Sequence, residues 1–254
     1  MTKALIDMDA LVYRYGLMRR ENPEDDPHGW NQNPLAQSKA AILQKIDYIR
    51  TDLECTEVVC CMTPRGTPNF RYSLHPKYKA HRKPPDPIIG SIKEWFFSKD
   101  FPEDRMEIPP RFTGETDDLV GVAHAQSGGT TTTVIVGIDK DFLTVPGWNY
   151  NPFTGDLNWI NPKSAYLMEF YQCLCGDSAD GIPGCRGIGD KKAKGVILGH
   201  LSEAKEFSPK ALWSELIRVY ESRGQTHQEL WETWLLINVS RPYHEKIKNN
   251  WRRP

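Results

Sequence analysis

Acidic residues recur in this sequence at one kind of place, beside the ends of short apolar or β-branched runs and at the starts of amphipathic ones. Asp7 and Asp9 close the run that begins at Lys3, and Glu115, Asp117 and Asp118 lie in Gly-Glu-Thr-Asp-Asp. Asp139 and Asp141 flank Lys140 after the Thr- and Val-rich run 131–138, and Asp177 and Asp180 lie in Gly-Asp-Ser-Ala-Asp-Gly. Carboxylates gathered without His or Cys suit hard divalent ions, Mg²⁺ or Mn²⁺ rather than zinc. Two such ions about 4 Å apart can activate a water and stabilise the leaving oxygen of a phosphodiester displacement. Each cluster also has a plainer reading. Asp117 and Asp118 complement a helix dipole, Asp139 caps a helix, and the Asp177–Asp180 stretch is a turn. Four clusters at element ends favour a shared site over four coincidences.

Two segments could offset that negative charge. Residues 64–87 carry Arg65, Arg71, Lys77, Lys79, Arg82 and Lys83 against Asp86 alone, interleaved with Phe70, Tyr72, His75, Tyr78 and His81. Residues 181–193 hold four glycines, Gly181, Gly184, Gly187 and Gly189, before Lys191 and Lys192. Backbone amides in such a turn can approach a phosphate closely, and the helix start that follows favours an anion. The whole chain of 254 residues has 32 Lys and Arg against 33 Asp and Glu, a formal charge of −1. That excludes diffuse attraction to nucleic acid and leaves only a local patch.

The elements that must position these groups follow from periodicity. Strands are predicted at Lys3–Met8, Glu57–Met62, Arg105–Ile108 and Thr131–Ile138, with a surface loop over Glu21–Pro34. Helices are predicted at Leu35–Leu53, Ile88–Lys99 and Thr116–Gln126, so strands and helices alternate as in a mainly parallel α/β sheet. In such a sheet the strand C-termini share one edge, where residues distant in sequence converge. From about Asn161 onward only helices are predicted: Pro162–Cys175, Asp190–Leu198, Pro209–Ser222 and Thr226–Val239. The expected organisation is an α/β core over 1–165, including the basic segment 64–87, and a helical part over 166–254. Trp213, Trp231 and Trp234 recur near helical spacing and are expected in the core.

Six cysteines form no Cys-x-x-Cys pair, so reduced thiols are expected rather than zinc or disulfides. No apolar run approaches the ~18 residues of a membrane span, and residues 1–7 lack a signal peptide's apolar stretch. A cytoplasmic protein without a membrane partner is the expectation.

Five co-linear stretches give the sequence a likeness. They are Leu5-Ile6-Asp7 with Tyr13-Arg14, Asn69-Phe70-Arg71 with the run Pro76–Lys83, Glu115–Asp118, Asp139–Phe142, and Gly176–Gly181 leading into Gly187-Ile188-Gly189. In this order they resemble the flap-endonuclease superfamily of 5′-nucleases, and most closely the 5′→3′ exonucleases of short-tailed bacteriophages. The terminal Trp251-Arg252-Arg253-Pro254 is similar to the ending of one phage exonuclease.

The resemblance implies a PIN-like α/β core, a basic arch and a helix-three-turn-helix motif. It implies that Asp7, Glu115, Asp117 and Asp139 hold one divalent ion and Asp141, Asp177 and Asp180 a second, with Asp118 in the same metal set. Lys79 and Arg82 would stabilise charge on the scissile phosphate, and Tyr78 would stack on the terminal base. Arg71, Lys77, Lys83, Gly187, Ile188, Gly189, Lys191 and Lys192 would contact DNA or support the arch, with K⁺ at the Gly-Ile-Gly turn. The implied substrates are DNA 5′ ends, flaps and RNA primers, met by a monomer that works with replication proteins or in host-DNA breakdown.

One departure stands out, because many superfamily members carry a further metal-binding Asp after the second strand. Here residues 60–69 read Cys-Cys-Met-Thr-Pro-Arg-Gly-Thr-Pro-Asn, and no carboxylate occurs between Glu57 and Asp86. Asp9 or water would have to fill that place. The departure leaves a structure-specific DNA-binding protein without catalysis as an alternative, and the shared carboxylates leave a PIN-type ribonuclease.

Overall fold

Strands whose residues are buried on both faces belong to a parallel sheet covered by helices, and the first strand has this character. In a computed structural model of the chain, β1 (Lys3–Asp7) buries Ala4, Leu5, Ile6 and Asp7. The structure describes residues 3–18, 31–64, 66–102, 106–107, 114–127, 132–203 and 207–239. Residues 21–30 of the expected surface loop, Arg65, Arg105, Ile108 and the terminal Trp251–Pro254 lie outside the described residues.

After β1 come α1 (Met8–Gly16), α2 (Pro34–Asp52), β2 (Glu57–Cys61), the short α3 (Arg71–Leu74), α4 (Pro87–Phe96) and β3 (Met106–Glu107). Then follow α5 (Thr116–Gln126), β4 (Thr133–Val136), a 3₁₀ turn (Lys140–Thr144), and the hairpin β5 (Gly147–Tyr150) and β6 (Leu157–Ile160). The helical part comprises α6 (Pro162–Cys175), the small hairpin β7 (Gly176–Asp177) and β8 (Ile182–Pro183), then α7 (Asp190–Glu203), α8 (Pro209–Ser222) and α9 (His227–Ile237). The periodicity reading missed α1 and the β5–β6 hairpin.

The six main strands run in the order β3-β2-β1-β4-β5-β6, with every neighbouring pair parallel except β5 and β6. Because β1 is flanked by β2 and β4, the winding reverses there, and the crevice beyond the C-termini of β1 and β4 is where such sheets take ligands. The register pairs Ile6 with Val136 and Asp7 with Cys61, so this crevice opens directly at Asp7.

Alternation along β1 divides the core. Ala4 and Ile6 pack with Leu11, Ile42, Ile46, Ile92 and Phe96 of α1, α2 and α4, while Leu5 packs with Leu119, Val120 and Phe142 on the other face. A separate cluster joins α6 to α9 around Trp213 and Trp234 and includes Tyr78 from the basic segment. Trp231 stacks on Trp234 with ring centroids 4.9 Å apart, so the three tryptophans pack as expected. All six cysteines are free thiols. No helix among the described residues is long and apolar enough to cross a membrane.

Two local constraints give measurable outcomes. A Cβ at Gly184, just after β8, would overlap the backbone of Leu174, Cys175 and Gly176 across the small hairpin. Gly184→Ala is therefore expected to destabilise the protein by roughly 2–3 kcal/mol, read from urea denaturation. His124 is buried between Thr133 Oγ1 (2.6 Å) and the Pro146 carbonyl (2.9 Å), so the neutral ring accepts at Nδ1 and donates at Nε2. Burial lowers its pKa from the ordinary 6.5. The unfolded chain takes up that proton first, so stability should fall as pH drops below about 6.5. His124→Gln should flatten that part of the pH profile in thermal unfolding.

Candidate functional site

Helix starts place most of the candidate acids. The Asp7 side chain accepts the Asp9 N–H at 2.9 Å and caps α1, and the Asp139 side chain accepts the Asp141 N–H at 2.9 Å and caps the 3₁₀ turn. The plain capping role and the chemical role thus coexist, since one oxygen of each group is spent on the backbone. Asp177 likewise accepts the Ala179 N–H at 2.9 Å.

An open cavity of about 940 Å³ lies at the C-terminal edge of β1 and β4. Eight carboxylates line it: Asp7, Asp9, Glu115, Asp117, Asp139, Asp141, Asp177 and Asp180. Five cations, Arg14, Lys79, Arg82, Lys93 and Lys140, share the lining, which leaves an excess of three negative charges. Burial, then the charges of Asp9 and Asp139, pushes Asp7 up to about 8. Burial, then Asp139, pushes Asp141 up to about 7, and burial with Asp7 and Asp139 raises Asp117. Burial first, and then repulsion between neighbouring carboxylates, shifts all three groups toward the protonated form.

Four of the five cations are already paired with carboxylates. Lys79 Nζ lies 2.5 Å from Glu115 and 3.6 Å from Asp180, and Arg82 also pairs with Asp180. Lys140 Nζ is 2.5 Å from Asp177, and Lys93 Nζ is 2.6 Å from Asp9. Among the described residues no three His, Cys, Asp or Glu side chains converge as a ready-made metal group. The donor set still suits hard divalent ions, being all oxygen and negative in sum. Those ions would have to displace lysine and arginine from some of the carboxylates.

The basic segment is docked against the 177–181 loop by backbone as well as side chains. The Lys79 N–H donates to the Asp180 carbonyl at 2.8 Å, and Arg82 Nε donates to the Ala179 carbonyl at 3.2 Å. His75 Nε2 lies 3.0 Å from the Gly181 carbonyl oxygen. Lys79 has φ of +52°, an uncommon conformation for a side-chain-bearing residue.

Three expected roles are not supported by where the residues fall, and of the two roles expected for Arg71 its position fits support of the basic segment rather than contact with DNA. Tyr78 was expected to stack on a base, but it is 1% exposed, and its hydroxyl lies 2.8 Å from Glu115 and 2.9 Å from Asp180. A ring buried in the helical cluster has no face for a base. Asp118 does not line the cavity, because Arg71 takes both of its oxygens and the Glu115 N–H donates to it at 2.9 Å. Arg71 is correspondingly 3% exposed, with Nε donating to the Leu236 carbonyl at 2.7 Å, so it ties the basic segment to α9 rather than facing DNA. Ile188 is buried, and its N–H donates to the Cys185 carbonyl, which leaves neither side chain nor amide for a phosphate.

Lys77, Lys83, Gly187, Gly189, Lys191 and Lys192 are all exposed, and Lys192 Nζ donates to the Gly187 carbonyl at 2.8 Å. Sequence reasoning missed Lys93 and Lys140 as cavity cations. The signal for Lys140 was its place between Asp139 and Asp141, whereas Lys93 reaches the site only through the packing of α4 on α1.

No known family profile matches the chain. It is 28% identical to an exonuclease of Escherichia phage T7 over 171 residues, 65% of this chain and 56% of that protein. Against a flap endonuclease Xni of Pseudoalteromonas translucida it is 26% identical over 227 residues, 84% of each chain. A 5′-3′ exonuclease of Bacillus subtilis is 29% identical over 160 residues, 56% of this chain and 52% of its own. The first curated relatives are therefore matched over little more than half their length or less.

The fold is that of the T5 5′-exonuclease. One structure of it superposes with a TM-score of 0.61 at 13% identity, over 97% of this chain and 91% of that one. A T5 D15 flap endonuclease complex with DNA and metal ions also gives 0.61 at 13% identity, over 99% of this chain and 94% of its own. Fold and sequence relatives together carry the likeness to the 5′-nuclease superfamily. Within it, the relatives include phage exonucleases and bacterial flap endonucleases.

The buried Arg71–Asp118 pair gives a test that separates scaffold from site. Removing one partner strands the other charge, so Asp118→Ala is expected to cost about 3–5 kcal/mol, measured by chemical denaturation. A binding role alone would instead leave the denaturation midpoint unchanged.

Proposed function

We propose that the chain is a metal-dependent 5′→3′ exonuclease and structure-specific 5′ flap endonuclease acting on DNA phosphodiesters. The observation that carries this is the meeting of eight carboxylates from four separate stretches in one open cavity, with a basic segment docked against them. The relatives named exonuclease and flap endonuclease support it.

In this reading Asp7, Glu115, Asp117 and Asp139 hold one divalent ion and Asp141, Asp177 and Asp180 a second. When bound, such ions activate the attacking water and neutralise the leaving oxygen. Asp9 lines the same cavity and is held by Lys93 and by Thr116 Oγ1, which donates to it at 2.9 Å. It is the carboxylate available where the second strand supplies none.

Lys79 and Arg82, now paired with Glu115 and Asp180, would stabilise the charge that grows on the scissile phosphate once those carboxylates were engaged by divalent ions. The exposed turn from Gly187 to Lys192 meets the duplex backbone away from the cut. Lys192 already places a monovalent charge on the Gly187 carbonyl, a kind of contact that K⁺ would share. RNA-primed 5′ ends belong to the same substrate class, since the roles assigned to the cavity groups act on phosphate and not on the sugar.

The test is digestion of 5′-labelled flap, blunt and RNA-primed duplexes in Mg²⁺ and in Mn²⁺. Asp139→Asn keeps a side-chain oxygen for the cap but removes the charge, and should lower cleavage by at least about a hundredfold. Full activity in that variant would overturn the reading. Lys79→Ala should lower kcat more than it weakens binding, since its charge matters most in the transition state. The second reading, a DNA-binding homologue without catalysis, is favoured by Cys61 standing opposite Asp7 at the end of β2. It predicts flap binding in Ca²⁺ with no cutting in either metal.

A further inference from the structure

Of the five cavity cations, Lys79, Arg82, Lys93 and Lys140 are each engaged by a carboxylate. Arg14 is different. It is exposed on α1, and its partner among the described residues is an aromatic ring, with the guanidinium carbon 5.6 Å from the centroid of Phe153. We infer that Phe153 is a positioning residue that holds Arg14 ready for a backbone phosphate of the single-stranded 5′ segment, next to the phosphate that is cut. This rests on the nuclease reading above.

The loop that carries Phe153 is built to hold it still. It joins β5 to β6, where Asn151 Oδ1 accepts the N–H groups of Phe153 (2.9 Å) and Thr154 (3.3 Å). The Asn151 N–H donates to the Asp156 carbonyl and the Gly155 N–H to the Asn151 carbonyl, both at 2.9 Å. Gly155 has φ of +79°, which closes the turn without strain. The ring is half-buried, packs against Tyr15 at 6.3 Å between centroids, and lines the cavity beside Arg14 and Tyr13.

A guanidinium laid on such a ring loses little further freedom when it binds, and its planar edge stays available for two hydrogen bonds to a phosphate. Arg14 lies seven residues beyond Asp7, roughly 10 Å along the helix axis. It therefore meets a neighbour of the phosphate held over the carboxylates. A single-stranded extension supplies that neighbour outside the duplex, so the contact distinguishes tailed from blunt ends.

A plain surface pair of ring and cation would contribute about 0.5–1 kcal/mol to stability and nothing to recognition. Binding of 5′-tailed and blunt duplexes in Ca²⁺ separates the two roles, using wild type, Phe153→Leu, Phe153→Tyr, Arg14→Ala and the Phe153→Leu/Arg14→Ala double variant, with thermal unfolding recorded alongside. Expected is an about three- to tenfold weaker affinity of Phe153→Leu for tailed DNA, corresponding to the loss of one braced contact. Affinity for blunt DNA should be unchanged and Phe153→Tyr should match wild type. Arg14→Ala should lose as much, with no further loss in the double variant and a salt dependence lower by about one phosphate contact. Unchanged affinity of Phe153→Leu for tailed DNA, or additive losses in the double variant, would overturn the inference while leaving the nuclease reading intact. Wild type that neither binds nor cuts tailed DNA would remove both.

Discussion

Mutual repulsion among carboxylates is the constraint on which the rest of this structure turns. Two adjacent parallel strands, β1 and β4, deliver acids to one edge, and the fold adds those of α5, the 3₁₀ turn and the 177–180 loop. Buried like charges at such spacing cannot all ionise without compensation. The structure answers in two ways: Asp7, Asp117 and Asp141 are raised in pKa, and four basic side chains reach in, two from the basic segment, one from α4 and one from the 3₁₀ turn. Either answer is provisional in the chemical sense, because a divalent ion offers more charge in less volume than a lysine.

That arrangement links the basic segment to the carboxylates more closely than an arch hovering over a cleft would. Tyr78 belongs to the helical cluster, Arg71 is tied to α9 and Asp118, and Lys79 and Arg82 hold Asp180. The segment is thus held from the helical side by apolar burial and from the carboxylate side by charge. Changing the charge in the cavity must alter the second hold and leave the first, so the ring of Tyr78 acts as a fixed point and the two cations beside it as the movable ends.

How much of this could be read in advance depended on whether the signal was local. Seven of the eight cavity carboxylates belong to the metal set read from the sequence, because each sits by an element end within a short motif. Asp118 looked the same from its spacing, yet it faces Arg71, and only the packing of α5 against the basic segment distinguishes it from Asp117 one residue away. The base-platform role of Tyr78 is one the resemblance implies, and burial in a cluster whose other buried members begin at Phe170, far along the chain, overrides it. The helix α1 follows β1 without a break, so its short period was hidden by the strand's apolar run. The β5–β6 hairpin turns on Asn151 and Gly155, a turn signal carried by residue type rather than by hydrophobic period.

The end of β2 shows why a missing ligand need not mean a missing site. The register sets Cys61 beside Asp7, and Thr63, two residues on, lines the cavity with a hydroxyl and an amide rather than a charge. The Thr63 N–H donates to Thr116 Oγ1 at 3.3 Å, and that hydroxyl donates onward to Asp9. The polar chain from β2 through α5 therefore ends on a carboxylate after all, supplied by the first turn of α1. Lys93 of α4 pairs with Asp9 at 2.6 Å and so balances its charge beside Asp7. A carboxylate on the helix adjacent to a strand end adds the same charge to the cavity as one on the strand itself, and charge, more than the identity of any one ligand, decides whether divalent ions are drawn to such an edge.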